Sequence, residues 1–315
     1  MACIQFWGGI AFVGIALFIF FLYAWSFFRR DGSFAQRLVP CEPRKPVPWN
    51  GWELLFFFAV WIFIIPVSGS LFRELQLGTH IQERALEPEQ RQELRKVHGI
   101  AQLVVQGRDD IRVFLVVFFV GVIIVPIGEE FLFRLLLQGY LEKQESRLRK
   151  LLRFFLPYFA IRGLSSVCCT AAVFALIHWR STAEVHSFQS LFDGLLGLMA
   201  GHLVVFAVIT TYLFAVCRAS LHDLGIDGRR IFRDSLLGLC AAAFLLPPIY
   251  FLNYGLAILV GDPGFTLDPI PLFFFAAGLG ILYFRTHRIL PAIVLHGVFN
   301  GVAVANAYVC AYVLF

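Results

Sequence analysis

Val-Pro-Ile-Gly-Glu-Glu-Phe-Leu-Phe-Arg, residues 125–134, sets two adjacent carboxylates and an arginine inside an otherwise apolar run. An ionisable group at bilayer depth costs about 3 kcal/mol even on insertion scales, so it is seldom there without a partner and a purpose. Neighbouring residues on a helix point about 100° apart, so Glu129 and Glu130 cannot serve one small cavity in the same way. Arg134 stands four residues after Glu130, with the acid on the N-terminal side, the better orientation for an ion pair within a helix. The spacing predicts that Arg134 neutralises Glu130 as structural support and leaves Glu129 for another task.

The rest of the chain makes that setting a membrane. Of 315 residues, 59% are hydrophobic, 36 are Phe and only 15% are charged. A soluble fold would leave much of that apolar surface in water. The reading is an all-α, polytopic transmembrane helical bundle of about eight spans enclosing an intramembrane polar cavity. Residues 4–28 are an apolar run long enough to cross about 30 Å of hydrocarbon. No basic region precedes that run and no small-residue cleavage site ends it, so it is expected to stay as a helix. Further spans are expected near 52–72, 113–138, 164–178, 188–216 and 235–260, with a short seventh ending at Arg285 and an eighth over 289–315. Residues 1–110 read as an N-terminal two-span region with an extramembrane helical loop, and 111–315 as the core that carries the motifs.

Charge orients these spans. Arg29, Arg30, Arg37, Arg44 and Lys45 follow the first one; Lys143, Arg147, Arg149, Lys150 and Arg153 follow the third; Arg218, Arg229, Arg230 and Arg233 follow the fifth. Basic loops stay in the cytoplasm, which places both termini outside. The polar stretch from Arg73 to Arg112 is balanced in charge and contains a helix start at Pro88, and reads as a solvated helix outside the membrane. Leu151 to Gly163 is apolar but broken by Pro157 and Arg162, as in an interfacial or re-entrant segment. Pro247-Pro248 is expected to kink the sixth span. No basic patch with interleaved aromatics suggests nucleic-acid binding. The cysteines show no metal-ligand spacing and read as inert buried thiols.

Two more pairs sit in apolar helices at a spacing of four: Phe174 with His178, and His296 with Asn300. That spacing puts each pair on one helical face. Counted from the basic loops, Glu129, His178 and His296 lie roughly 12 to 21 Å from the cytoplasmic face, so they can meet. Burial makes a carboxylate a better base, and a histidine can share the proton of an attacking water. Histidine and asparagine donors can hold the oxyanion of a tetrahedral intermediate. Glu129, His178 and His296 can equally be read as ligands of a zinc ion that activates the water. Spacing does not choose between these routes.

Glu-Glu-x-x-x-Arg, Phe-x-x-x-His and His-x-x-x-Asn in this order resemble the CAAX-processing and bacteriocin-immunity intramembrane endopeptidases, the type II CAAX prenyl endopeptidases. The likeness covers about residues 120 to 310, with Leu135 where a glycine usually follows the arginine and a longer gap from Glu130 to His178. The resemblance implies an eight-helix core with Glu129 as base, His178 and His296 as catalytic groups or metal ligands, and Asn300 assisting the oxyanion. It also implies a hydrophobic or prenylated peptide or protein substrate, and a divalent metal, zinc first, if the members' usual metalloprotease label applies. Two other classes compete: a proton-coupled transporter using Glu129 and His178 as a relay, and an immunity or scaffold protein without turnover. Phe174 reads as packing. The remaining histidines, His202 among them, read as loop or helix-end residues without a role, although His202 and Asp193 could line the cavity.

Overall fold

The computed structural model describes residues 11–22, 42, 47–78, 81, 99–145, 150, 163–178, 187–260 and 269–313. The main helices in order are α1 Ala11–Leu22, α2 Gly51–Leu75, α3 Gly99–Gly107, α4 Ile111–Lys143, α5 Leu164–Ile177, α6 Phe188–Ala215, α7 Ile231–Val260, α8 Pro269–Thr286 and α9 Leu290–Val313, and no strand occurs among the described residues. The all-helical membrane class is the one the apolar runs imply. The count differs from eight: six described helices are long and apolar enough to cross a bilayer, while α1 and α5 are shorter. The 14 residues of α5 rise only about 21 Å, against about 30 Å of hydrocarbon. The helix start at Pro88 and the segment from Leu151 to Arg162 lie outside the described residues.

One end of the supposedly solvated stretch is not solvated. In α3, Gln102, Leu103, Val104, Val105 and Gln106 are all buried. Its Leu-Val-Val run joins Phe188 and Phe192 in one apolar cluster, and burying that much aliphatic surface outweighs the polar character of the flanking sequence. Asp110 then caps α4, its side chain accepting the Arg112 backbone N–H at 2.8 Å. The Arg112 guanidinium beside it holds the Asp110 carboxyl below the usual carboxylate range.

The chain divides into two compact units, and the division cuts two helices, between Glu129 and Glu130 in α4 and between Leu295 and His296 in α9. The unit made of Gly51–Glu129, Arg180–Arg218 and His296–Phe315 is built on close helix approach through glycine. A Cβ at Gly197 of α6 would stand 2.6 Å from the Ser68 carbonyl oxygen and 2.7 Å from the Gly69 Cα of α2. Without a strong hydrophobic force between helices in lipid, such small-residue seams supply the packing. Gly297 makes the same allowance in α9, where a Cβ would lie 2.9 Å from the Val122 carbonyl oxygen of α4.

The other unit comprises Met1–Asn50, Glu130–Trp179 and Ala219–Leu295. Several of its buried polar groups are paired. Gln138 donates to Glu142 at 2.9 Å and to the Gly280 carbonyl at 2.8 Å, tying α4 to α8. Trp49 donates to the Leu136 carbonyl at 3.1 Å, and the buried Arg288 and Asp234 form an ion pair. In lipid an unsatisfied polar group costs several kcal/mol, so these bonds fix which helix faces meet.

Candidate active site

Glu129 is the penultimate residue of an ordinary α-helical turn, Val125–Glu130, that is flanked on both sides by wider π-helical turns, Phe119–Ile124 and Phe131–Gln138. Turns with an extra residue recur at functional sites because they re-aim side chains and carbonyls within a continuous helix. Glu129 is 8% exposed and His296 4%. Glu129 Oε2 stands 3.7 Å from His296 Nε2, too long for a direct hydrogen bond and short enough for one water to touch both. One turn further along α9, Asn300 Nδ2 donates to the Gly121 carbonyl at 2.8 Å. That bond anchors the amide against the first π-helical turn while the group keeps a second amide proton. Glu129, His296 and Asn300 thus share one compact unit.

The remaining motif residues form a chain of contacts in the other unit. Glu130 and Arg134 are both fully buried, and Arg134 Nε donates to Glu130 Oε2 at 3.1 Å, the pair expected from their spacing. The Arg134 guanidinium lies 5.5 Å from the centre of the Phe174 ring. That ring in turn stacks on His178 with centroids 4.3 Å apart and meets Phe133 edge-on at 5.1 Å. Phe174 is therefore more than filler: its ring connects the cation of the first motif to the imidazole of the second. His178 closes α5 and sets its Nδ1 2.7 Å from the Phe174 carbonyl. A carbonyl can only accept, so Nδ1 is the donor in this bond.

Sequence reading misplaced one residue. His202 is no helix-end residue: it lies inside α6 and is 4% exposed. It packs against Gly128, where a Cβ would run into the ring at Cδ2. A lone histidine in an apolar run has no companion at helical spacing to flag it. The signal that could have drawn attention was the glycine immediately before the glutamates. Asp193 is also buried, but its carboxylate accepts the Gly78 backbone N–H at 2.8 Å, which gives it a structural task.

Glu129 and His296 are two of the three ligands that an open zinc site uses. Among the described residues no group of three His, Cys, Asp or Glu side chains is gathered to hold a metal.

The class that the fold and site define is an all-helical, multi-pass membrane protein in which a buried carboxylate and imidazole lie near a half-buried, anchored carboxamide. The type II CAAX prenyl endopeptidase Rce1-like family pattern matches residues 111–302, and the chain belongs to that family, one of CAAX-type intramembrane proteases. No curated protein and no solved structure matches the chain.

Proposed function

We propose that the protein is an intramembrane endopeptidase that hydrolyses a peptide bond in a hydrophobic or lipidated, CAAX-like protein. The carrying observation is the buried approach of Glu129 to His296, 3.7 Å between Oε2 and Nε2, with Asn300 one turn away on the same helix. Glu129 takes a proton from water as the water oxygen attacks the carbonyl carbon. The carbonyl electron pair moves to oxygen, where His296 and Asn300 donate to it. As the C–N bond breaks, Glu129 returns the proton to the leaving amine. His178, the histidine of the second motif, is proposed as a further catalytic group. Glu130, Arg134 and Phe174 support it by holding the ring stack.

A divalent cation, zinc first, is the second form of the same proposal, with Glu129 and His296 as two of its ligands. When bound it would polarise the water and the carbonyl. No step above runs through it. The substrate enters from the bilayer or its cytosolic side, and both termini lie outside.

The test uses purified full-length protein in proteoliposomes with an internally quenched peptide ending in a farnesylated cysteine and three further residues. Glu129→Gln is expected to lower kcat by roughly 1,000-fold or more, the scale of removing a general base together with its charge. Retention of the wild-type rate overturns the reading. Incubation with a chelator, followed by zinc, separates the two forms: activity lost and restored supports the metal-held water, and activity unchanged supports the carboxylate alone.

A further inference from the structure

The proposed reaction leaves one half of the peptide unheld. A peptide bond offers a carbonyl acceptor and an N–H donor, and within a membrane each needs a partner because no bulk water supplies one. His296 and Asn300 serve the carbonyl, while Glu129 serves the water. No acceptor has yet been assigned to a substrate N–H.

His202 has the required properties. Its Nδ1 lies 2.9 Å from the Leu198 carbonyl, one turn back on α6. That carbonyl can only accept, so the ring proton is on Nδ1 and the lone pair is on Nε2. Nε2 is buried and has no hydrogen-bond partner among the described residues. A buried acceptor left unmade is costly, so a well-packed histidine in this state is poised for a donor that arrives from elsewhere. Its position singles out which donor. A Cβ at Gly128 would stand 3.2 Å from Nε2. The bare nitrogen therefore lies against the backbone of the residue directly before Glu129, in the unit that also holds His296 and Asn300. The absence of a side chain at Gly128 is what makes room for the ring.

We propose that His202 is a substrate-positioning residue whose Nε2 accepts a backbone N–H of the peptide beside the scissile bond. The inference rests on the proposed peptidase reaction and adds to it the group that fixes the strand's register. The chemical class it recognises is an extended peptide with an intact amide N–H, irrespective of side chain or lipid.

The test pairs enzyme variants with backbone-edited substrates. In the quenched farnesylated peptide, each N–H flanking the scissile bond is replaced in turn by an ester oxygen, and kcat/KM is measured for wild type, His202→Leu, His202→Gln and Glu129→Gln. Wild type is expected to lose roughly 10- to 100-fold at one ester position. His202→Leu is expected to lose a similar factor on the all-amide peptide and to be indifferent to the ester at that position. His202→Gln, whose Oε1 reaches the place of Nε2, is expected to recover to within about tenfold and to restore the ester sensitivity. A merely structural histidine would lower activity without erasing the response to one substrate atom. If His202→Leu keeps the wild-type kcat/KM, or if its ester profile matches wild type at every position, this inference is wrong. Inactive Glu129→Gln beside fully active His202→Leu overturns the inference alone, whereas active Glu129→Gln overturns the proposed reaction and the inference with it.

Discussion

At the scale of single residues, the buried charges are organised by who neutralises whom. Glu130 and Arg134 are both at 0% exposure and 3.1 Å apart, and a buried ion is tolerable only with its partner in place. Removing one member strands the other, which typically costs about 3–5 kcal/mol, whereas replacing both with apolar or neutral groups of similar size is much milder. Arg134→Met and Glu130→Gln, each alone, are therefore expected to lower the thermal midpoint of the detergent-solubilised protein sharply, and the double variant to recover most of the loss. Midpoints of both single variants equal to wild type would show that the pair is dispensable. The pairing was readable in advance, because a spacing of four with the acid first is a local rule of helix geometry. What Phe174 does was not readable. Its contacts with Arg134 and His178 join two helices, and spacing along one helix carries no information about rings on another.

At the scale of helices, the units depend on how closely backbones approach. Gly197 is the strictest case, since a Cβ there would meet the Ser68 carbonyl oxygen at 2.6 Å and the Gly69 Cα at 2.7 Å. Both are backbone atoms that cannot swing aside. Gly197→Val must push α2 and α6 apart, and overpacking of this kind costs about 1–3 kcal/mol. The expected result is a lower thermal midpoint. Gly228→Ala is the control, because a Cβ at Gly228 meets nothing within 4 Å, and it should stay within about 0.5 kcal/mol of wild type. Equal midpoints for the two variants would sink the close-approach account. Helix existence was legible from apolar runs, yet these glycine seams were not, since a glycine in a helix looks the same whether it faces lipid or a neighbour. The π-helical turns around Glu129 were equally hidden: one extra residue in a turn leaves no periodic trace in an apolar stretch. His202 was read only as a residue that could line the cavity, because its packing against Gly128 is a contact with another helix.

At the scale of the whole chain, the membrane class and most span positions followed from hydropathy, but the length of α5 raises a question that charge can answer. The basic residues after α4, from Lys143 on, and those between α6 and α7, Arg218, Arg229, Arg230 and Arg233, both favour the cytoplasm. For both loops to lie there, the chain between them must cross the bilayer twice, and α6 supplies only one crossing. The other falls to α5, whose 14 residues rise about 21 Å, short of the usual 30 Å. Local thinning of the bilayer around a short apolar helix costs fractions of a kcal/mol per Å of mismatch. Misplacing a basic loop costs a comparable or larger amount, so the crossing is expected to win. Single cysteines at Ser181→Cys and Gly228→Cys, in a protein freed of its native thiols, report the outcome with a membrane-impermeant maleimide. In right-side-out vesicles Ser181→Cys is expected to label and Gly228→Cys to stay protected, with the pattern reversed in inside-out vesicles. Labelling of Gly228→Cys with Ser181→Cys protected in right-side-out vesicles would mean that α5 turns back within the membrane, and that the charge of the loop holding Arg229 and Arg230 does not set its side.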